Sequence, residues 1–378
     1  MSDGEQMRDE TAASEQPSAE VPSDSEYRIE PFSLTPERFS DVSELISTAF
    51  IEDNPNGGTI AFDATQINLL FGSPYLPRDL FVRAVHIPSG ETVGFLGGLT
   101  RQLAYAGRTY RCGVPGFLAV HWKHQRRGLA VKMGLELLNV SKALDFDVAI
   151  AFFEPGAHGI TMARSVARKA GLTMREIARI PRFLVRVIDP DRAVQAAKVK
   201  FYEEWVFRAL KRIPKRRSES VRPFVSDDIE ALFALMGDHV KHNQLALVRD
   251  RDDFGWFLEQ PGIQCVVHER DGAIDGFIVA WTMDLAGPKA RVPFGWIDLV
   301  HTYRLDSRAT RDLCHELCRG GVAMGWAGLQ SPKMPYFAEL PFYRARFLPF
   351  PKPLIVTLFD FCGADFPQTV ERYYLDFR

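Results

Sequence analysis

The chain has 378 residues, of which 46% are hydrophobic and 25% charged, so its composition is that of a globular protein and its length suggests two domains. The formal net charge of −2 argues against nucleic-acid or anionic-membrane binding driven by overall charge. No apolar run reaches the ~18 residues of a membrane helix, and the N-terminus lacks the apolar core of a signal peptide. Five irregularly spaced cysteines argue against a disulfide framework. These features predict a cytoplasmic protein without a membrane span or a nucleic-acid partner.

The first residues differ in composition from the rest of the chain. Residues 1–26 are rich in Ser, Glu, Asp, Ala and Pro and predict a disordered tail, because they contain too few large apolar side chains to form a core. A strand is predicted at 27–31. Thr35 and Pro36 then mark a helix start. Apolar residues follow at helical spacing: Phe39, Val42, Leu45, Ile46 and Ala49.

Strands and helices continue as far as residue 188. Alternating apolar residues predict a hairpin from 80–86 and 92–96, joined by a turn at 88–90. The remaining predicted elements of this half are a second helical region toward Leu70, a strand near 102–105, a strand at 117–121, a helix from 128, a strand at 148–153, a helix at 160–169 that ends at Gly171, and a strand at 183–188.

The most informative stretch is an apolar strand that runs through a polar turn into a helix. The turn reads Gln125-Arg126-Arg127-Gly128-Leu129-Ala130. The first N–H groups of a helix have no partner within the helix and carry partial positive charge, so they can bind a diphosphate. Gly128 allows close approach to the backbone. The alternative interpretation is an ordinary strand-to-helix connection with a solvated basic turn.

This turn resembles motif A of the GNAT acyltransferases, Gln/Arg-x-x-Gly-x-Gly/Ala, and the order of elements resembles the GNAT order. The resemblance implies an α/β (α+β) fold and binding of acetyl-CoA or another acyl-CoA. The strand would line the pantetheine arm and the turn would hold the pyrophosphate. The implied coenzyme-binding residues are Leu118, Ala119, Val120, Gln125, Arg126, Arg127, Gly128, Leu129, Ala130 and Val131.

Residues 191–219 form a basic linker with helical periodicity. Its cationic residues are Arg208, Lys211, Arg212, Lys215, Arg216 and Arg217. A run of charge of this kind is usually a solvated face. The alternative is a contact with an acidic partner or with the 3′-phosphate of the coenzyme.

From residue 220 the pattern of the first half begins again. Residues 221–229 parallel residues 29–35, and a second hairpin is predicted at 263–281 around the turn Asp271-Gly272. The turn expected to bind the coenzyme, at 301–310, contains no glycine. We therefore expect two tandem GNAT-like domains, 27–190 and 220–378, each with a mixed, mostly antiparallel sheet flanked by helices, and a coenzyme site in the first alone. This layout is similar to those of the N-myristoyltransferases and of the tandem aminoglycoside-modifying acetyltransferases.

Acyl transfer to an amine needs a base, an oxyanion donor and an acid for the leaving thiolate. The resemblance implies that a backbone N–H near 118–120 is the oxyanion donor. Many GNAT members use a tyrosine as the acid, but Ala167 stands at the matching position. Glu154 is a candidate base, with a capping or loop carboxylate as the alternative. Both tandem groups imply the C-terminal carboxylate, here that of Arg378, as base.

Other polar side chains are weaker candidates. His121 and His158 lie near the expected cleft, but a lone histidine is more often packed or solvated. Cys314 and Cys318 lie one helical turn apart without a second pair at metal spacing, so no metal site is predicted.

The sequence thus predicts an acyl-CoA-dependent N-acyltransferase, most simply an acetyltransferase, with a small-molecule or peptide amine as acceptor. The layout also allows transfer of a longer acyl chain. A non-catalytic acyl-CoA-binding protein is the rival hypothesis, because the tyrosine acid is missing.

Overall fold

The computed structural model describes residues 26–54, 58–287 and 289–378, so the predicted tail lies outside the described residues except for Glu26. In chain order, the strands of the first half are β1 (Tyr27–Pro31), β2 (Thr59–Ala61), β3 (Phe81–His86), β4 (Glu91–Tyr105), β5 (Arg108–Val120), β6 (Val148–Phe153), β7 (Thr173–Ile180) and β8 (Phe183–Val187). The helices as far as residue 210 are α1 (Phe39–Asp53), α2 (Ala64–Phe71), α3 (Leu129–Ala143), α4 (His158–Ala170), α5 (Pro190–Ala196) and α6 (Phe201–Leu210).

The second half repeats this alternation. Its strands are β9 (Val221–Pro223), β10 (Leu245–Val248), β11 (Ile263–Arg270), β12 (Ala273–Ala286), β13 (Arg291–His301), β14 (Gly328–Pro332), β15 (Leu348–Phe350), β16 (Leu354–Asp360) and β17 (Tyr373–Tyr374). Its helices are α7 (Ile229–His242), α8 (Arg251–Leu258), α9 (Ser307–Ala323) and α10 (Leu340–Arg344).

Local sequence explains where several helices begin and end. The apolar stripe of α1 is buried, and each buried aliphatic or aromatic side chain contributes ~1.5–3 kcal/mol. A capping box between Asp63 and Gln66 starts α2. Gly171 ends α4 in the left-handed conformation, with φ 65°. The predicted linking helix is two helices, α5 and α6, and β7 is a strand that the apolar pattern did not predict.

Two mixed sheets form the molecule. Among the described residues, the first has nine strands in the order β1-β3-β4-β5-β6-β16-β7, with β10 paired to both β4 and β17. The second has eight, in the order β15-β8-β14-β13-β12-β11-β9, with β2 paired to β12. Most neighbours are antiparallel, and the parallel pairs include β5–β6 and β13–β14. The predicted fold class is confirmed.

The two sheets exchange strands. β8 lies between β14 and β15 of the second sheet, and β16 lies between β6 and β7 of the first. Residues 27–190 and 220–378 therefore each complete the other's sheet, while the boundaries between them stay a prediction.

Candidate coenzyme and acyl-transfer site

The site is a cleft between two parallel strands that separate. β5 and β6 pair at Cys112–Val148 and Gly113–Ala149, and no further pair is formed within the described residues. Beyond Gly113 the two strands diverge, leaving one edge of β5 without a neighbouring strand. A cavity of about 1000 Å³ fills this cleft, at the upper end of the ~300–1000 Å³ typical of ligand pockets.

A bulge interrupts β5 where the acyl group is expected. Phe95 pairs with Ala119 and Gly97 with Gly116, so Phe117 and Leu118 together oppose a single residue of β4. Phe117 has a φ of +58°, which is uncommon for a non-glycine residue. Bulges leave a residue outside the regular ladder and often lie next to active sites. The expected oxyanion region, 118–120, begins within this bulge.

The turn after β5 opens α3 with its first N–H groups uncapped. Gly128 is the N-cap residue, with a φ of +73°. No side-chain hydrogen bond caps the start of the helix within the described residues. The Gln125 amide holds the turn, because its Nε2 lies 3.3 Å from both the Val120 carbonyl oxygen and Asp53 Oδ1. These free N–H groups and the positive end of the helix can bind an anion.

Most of the predicted coenzyme residues line the cavity. Ala119 and Arg127 are not among the lining residues. Ala119 is buried in the sheet, and the Arg127 guanidinium lies 5.7 Å from the Tyr27 ring and 3.4 Å from Glu26. The predicted residues that line the cavity are Leu118, Val120, Gln125, Arg126, Gly128, Leu129, Ala130 and Val131.

A group of histidines lies beside the turn. His124 Nδ1 is 2.9 Å from the Tyr27 hydroxyl, and the His86 and His124 rings are 4.9 Å apart. Burial lowers the pKa of His124, and His86 and His121 lower it further. His121 Nδ1 accepts a hydrogen bond from the Lys123 N–H. No group of side chains suited to a metal occurs within the described ranges.

The polar groups available for proton transfer at the cavity are few. Glu154 lines it and pairs with Lys352, with 2.6 Å between Oε1 and Nζ. His158, the first residue of α4, also lines it. Ala167 is buried against the alanines of β6, so the position that carries tyrosine in many GNAT members offers no acid here.

Six buried charged side chains form a cluster behind the cavity. Arg101 contacts Asp376 (3.2 Å) and Asp253 (3.8 Å). Arg249 bridges Asp376 and Asp298, with 2.5 Å to each. The Arg378 side chain binds Asp253 at 2.8 Å, and its carbonyl oxygen accepts a hydrogen bond from Arg101. The members of this cluster, hereafter the ionic cluster, are Arg101, Arg249, Asp253, Asp298, Asp376 and Arg378.

The ionic cluster sets the charge states of its carboxyl groups. Burial alone would raise the pKa of Asp253, but Arg378, Arg101 and Arg249 lower it to about 2. Burial raises the pKa of Asp298 to about 6 despite the attraction of Arg249. Burial also lowers the pKa of Arg378 to about 10.

The ionic cluster contacts the cavity wall through aromatic rings. Phe377 lies 4.3 Å from Phe152, a cavity residue, and its N–H donates to Asp298 at 2.7 Å. The predicted base Arg378 is fully buried and is not among the residues that line the cavity; the neighbouring Phe377 makes the contact with the cavity residue Phe152. Sequence reasoning missed the ionic cluster. The feature of the sequence that could have indicated the cluster is a single charged residue within an otherwise apolar strand, as at Arg101 and Asp298.

The equivalent turn of the second half differs in charge. The Asp306 carboxylate caps α9 by accepting hydrogen bonds from the N–H groups of Arg308 (2.9 Å) and Ala309 (2.7 Å). A negative side chain thus occupies the position that an anion would take in the first half.

Comparison with solved structures identifies the fold. N-myristoyltransferase of Saccharomyces cerevisiae with bound myristoyl-CoA superposes with a TM-score of 0.70 at 16% identity, over 92% of this chain and 81% of that one. A second structure of the same complex gives a TM-score of 0.71 at 16% identity, over 92% and 85%. The chain has a tandem GNAT-like fold. A proposed acetyltransferase from Pyrococcus horikoshii superposes with a TM-score of 0.54 at 12% identity, over 95% and 98%.

At these identities the likeness concerns the fold, and function has to be argued from the site. No protein-family model matches the sequence, and neither does any curated protein. None of the helices within the described ranges is long and apolar enough to cross a membrane.

Proposed function

We propose that the protein is an acyl-CoA-dependent N-acyltransferase whose donor carries a long acyl chain. The observation that carries this proposal is the extent of the cavity. It touches Gly128 at the uncapped start of α3 and also Gly113, where β5 and β6 meet. Gly113 lies seven residues before Val120, a distance of about 20 Å along an extended strand.

The two ends of the cavity differ in chemistry. Near the turn, Arg126 and the first N–H groups of α3 suit a pyrophosphate. At the other end the lining is almost entirely apolar. It includes Leu80, Leu96, Leu137, Leu138, Ala149, Ala151, Ala163, Val166, Leu172, Phe359 and Phe361. An acetyl group would leave this apolar end unfilled, whereas a long acyl chain would bury ~0.8 kcal/mol per methylene there.

The transfer itself needs groups that this chain can supply. The thioester carbonyl would lie at the β5 bulge, where a backbone N–H at 118–120 stabilises the oxyanion. The amine acceptor loses its proton to Glu154 or to the carboxyl group of Arg378, the two candidate bases. Its nitrogen then forms a bond to the thioester carbon as the C–S bond breaks, and coenzyme A leaves as the thiolate, which takes its proton from solvent because position 167 supplies no acid. Turnover of the variant Glu154→Gln distinguishes the two candidates. If Glu154 is the base, kcat should fall while the affinity for acyl-CoA is unchanged; if it is not, kcat should stay at the parent value.

A series of acyl-CoA donors tests the proposal. Calorimetric affinity should rise about fourfold per added methylene until the cavity is full, since ~0.8 kcal/mol corresponds to that factor. Turnover of the same donors with a panel of amines then distinguishes an enzyme from an acyl-CoA-binding protein. Equal affinity for acetyl-CoA and a fourteen-carbon donor would contradict a long-chain site.

A further inference from the structure

Helix α6 presents three aromatic side chains to solvent. Phe201 is 86% exposed, Trp205 71% and Tyr202 48%. No residue of the helix is fully buried. Most exposed apolar residues of a soluble protein are scattered singly, so three aromatic rings within five residues are unusual.

The helix is fixed in place through its backbone. The buried Arg186 guanidinium donates to the carbonyl oxygens of Leu210 (2.6 Å), Lys211 (3.2 Å) and Arg212 (3.3 Å), the C-terminal groups that a helix leaves unpaired. Arg319 donates to the Pro214 carbonyl oxygen at 3.1 Å. The aromatic face is thus held outward on a tethered helix and takes no part in the core.

Basic residues flank the aromatic residues of α6 in the sequence on both sides. Residues 198–217 contain eight basic and two acidic side chains, although the whole chain has a net charge of −2. Arg208 is neutralised by Asp191 (2.6 Å) and Glu204 (2.8 Å). The basic residues without an ion pair to any described residue are Lys198, Lys200, Lys211, Arg212, Lys215, Arg216 and Arg217.

We propose that α6 and its basic flanks, residues 198–217, form a docking surface for an anionic lipid bilayer. The occupant follows from the combination of features. Trp and Tyr prefer the headgroup region, Phe inserts below it, and Lys and Arg are attracted to anionic lipids. An acidic protein partner could also satisfy the charges and cover the rings, and it is the alternative that the vesicle experiment distinguishes.

The surface lies next to the cavity. The Gly58 N–H donates to the Ala196 carbonyl oxygen at 2.8 Å, and Thr59, the residue after Gly58, lines the cavity. Lys198 and α6 follow directly after α5. Docking would therefore bring the cavity side of the molecule to the membrane, where acylated molecules partition. The docking surface itself does not depend on the proposed function.

Sedimentation of the full chain with lipid vesicles tests the proposal. Vesicles with roughly 30% phosphatidylserine in phosphatidylcholine should bind the protein at least tenfold more tightly than phosphatidylcholine alone, and raising NaCl from about 0.1 to 1 M should weaken binding because the Debye length falls. The aromatic variant F201A/Y202A/W205A and the charge variant K215Q/R216Q/R217Q should each reduce binding at least tenfold.

Two control variants change exposed residues of the same kinds elsewhere. Y75A/F350A removes rings that are 53% and 51% exposed, and K142Q/K169Q removes two exposed charges. Both should bind vesicles like the parent. Turnover of a soluble short-chain donor should be the same in the parent and the two α6 variants, so a defect in chemistry is distinguishable from a defect in docking.

Several outcomes would overturn the proposal. These are no binding to the anionic vesicles, equal binding to neutral vesicles, and binding that survives both α6 variants. Binding of a polyglutamate peptide without binding of vesicles would assign the surface to an acidic protein instead.

Discussion

At the scale of single residues, Gly128 and Gly272 form a matched pair. Both have a positive φ, +73° and +76°, and a Cβ at either position would meet no described atom within 4 Å. Any side chain therefore introduces comparable backbone strain at both positions. Only Gly128 lies at the cavity, so a difference between the two variants reports on the ligand.

Gly128→Glu should lower coenzyme A affinity at least tenfold, and Gly272→Glu should leave it nearly unchanged. A carboxylate at the start of α3 opposes the diphosphate by roughly 1–4 kcal/mol at ~4 Å, and each ~1.4 kcal/mol is a factor of ten. Isothermal titration calorimetry measures both variants. Parent-like affinity of Gly128→Glu would remove the basis for a pyrophosphate site at this turn.

Asp298 should make the folded state less stable as pH rises through the acidic range. Its pKa is about 6 when folded against an ordinary 3.8, so the folded state holds the proton more tightly than the unfolded state. As far as this residue is concerned, the free energy of unfolding should fall by about 3 kcal/mol in total, of which about 2 kcal/mol is lost between pH 4 and 6, and it should level off near pH 7. Asp253, with a folded pKa of about 2, acts in the opposite direction and only below pH 4.

Asp298→Asn isolates this contribution. The amide oxygen can still accept the Phe377 N–H, and Arg249 keeps Asp376 as a partner. We expect the variant to lose the fall in stability between pH 4 and 6, measured by urea unfolding at several pH values. An unchanged slope would show that Asp298 ionises normally.

At the scale of elements, the divergence of β5 and β6 determines the length of the cavity. A Cβ at Gly113 would lie 3.7 Å from Phe146 and 3.8 Å from Ala149, which is ordinary van der Waals contact. A Cβ at Gly113 therefore fits without a clash, and because Gly113 lines the cavity the remaining carbons of a leucine are expected to occupy part of its volume.

Gly113→Leu should shift donor preference toward shorter acyl chains. Affinity for a fourteen-carbon donor should fall at least tenfold while that for acetyl-CoA changes little, because the leucine occupies space that only the end of a long chain reaches. Gly113→Ala is the control, since one methyl group removes little volume. Equal losses for all donors would place the acyl chain elsewhere.

Elements with strong local signals were predictable from sequence. β1, β6 and the start of α3 lie where the apolar pattern and Gly128 indicated. β7 was missed because Arg175, Glu176 and Arg179 interrupt its apolar pattern. The partners of β8 and β16 were not predictable, since pairing across more than a hundred residues leaves no mark on either strand alone.

The site shows the same division. The turn at 125–130 has a local motif, so the sequence indicated residues most of which line the cavity, while their role in binding the coenzyme stays a prediction. The ionic cluster does not, because Arg101 and Asp376 are distant in the chain and meet only through tertiary packing. Buried ion pairs have no fixed spacing along the sequence. The individual charged residues can therefore be noticed in the sequence, but their partners cannot be predicted from it.

At the scale of the whole molecule, the exchanged strands should make unfolding a single transition. Removing β16 from the first sheet separates β6 from β7, and removing β8 from the second separates β14 from β15. Neither half of the chain, 27–190 or 220–378, can therefore unfold alone without taking a strand out of the other half's sheet.

Differential scanning calorimetry should give one peak, with a van 't Hoff enthalpy close to the calorimetric enthalpy. Acyl-CoA should move that peak to higher temperature as a whole, because it binds the folded state only. Two peaks, with only one shifted by the ligand, would show that 27–190 and 220–378 fold independently.

The exchange of strands also has a consequence for synthesis on the ribosome. β7 has been made by residue 180, but its neighbour β16 begins at Leu354, so residues 181–353 must be translated before the first sheet can close. At ~5–20 residues per second this delay lasts roughly 10–35 s. During it, the edge of β6 that faces β16 is unpaired and open to chaperones or to other nascent chains. The wall of the cavity, to which Phe359 of β16 contributes, thus becomes complete only late in translation.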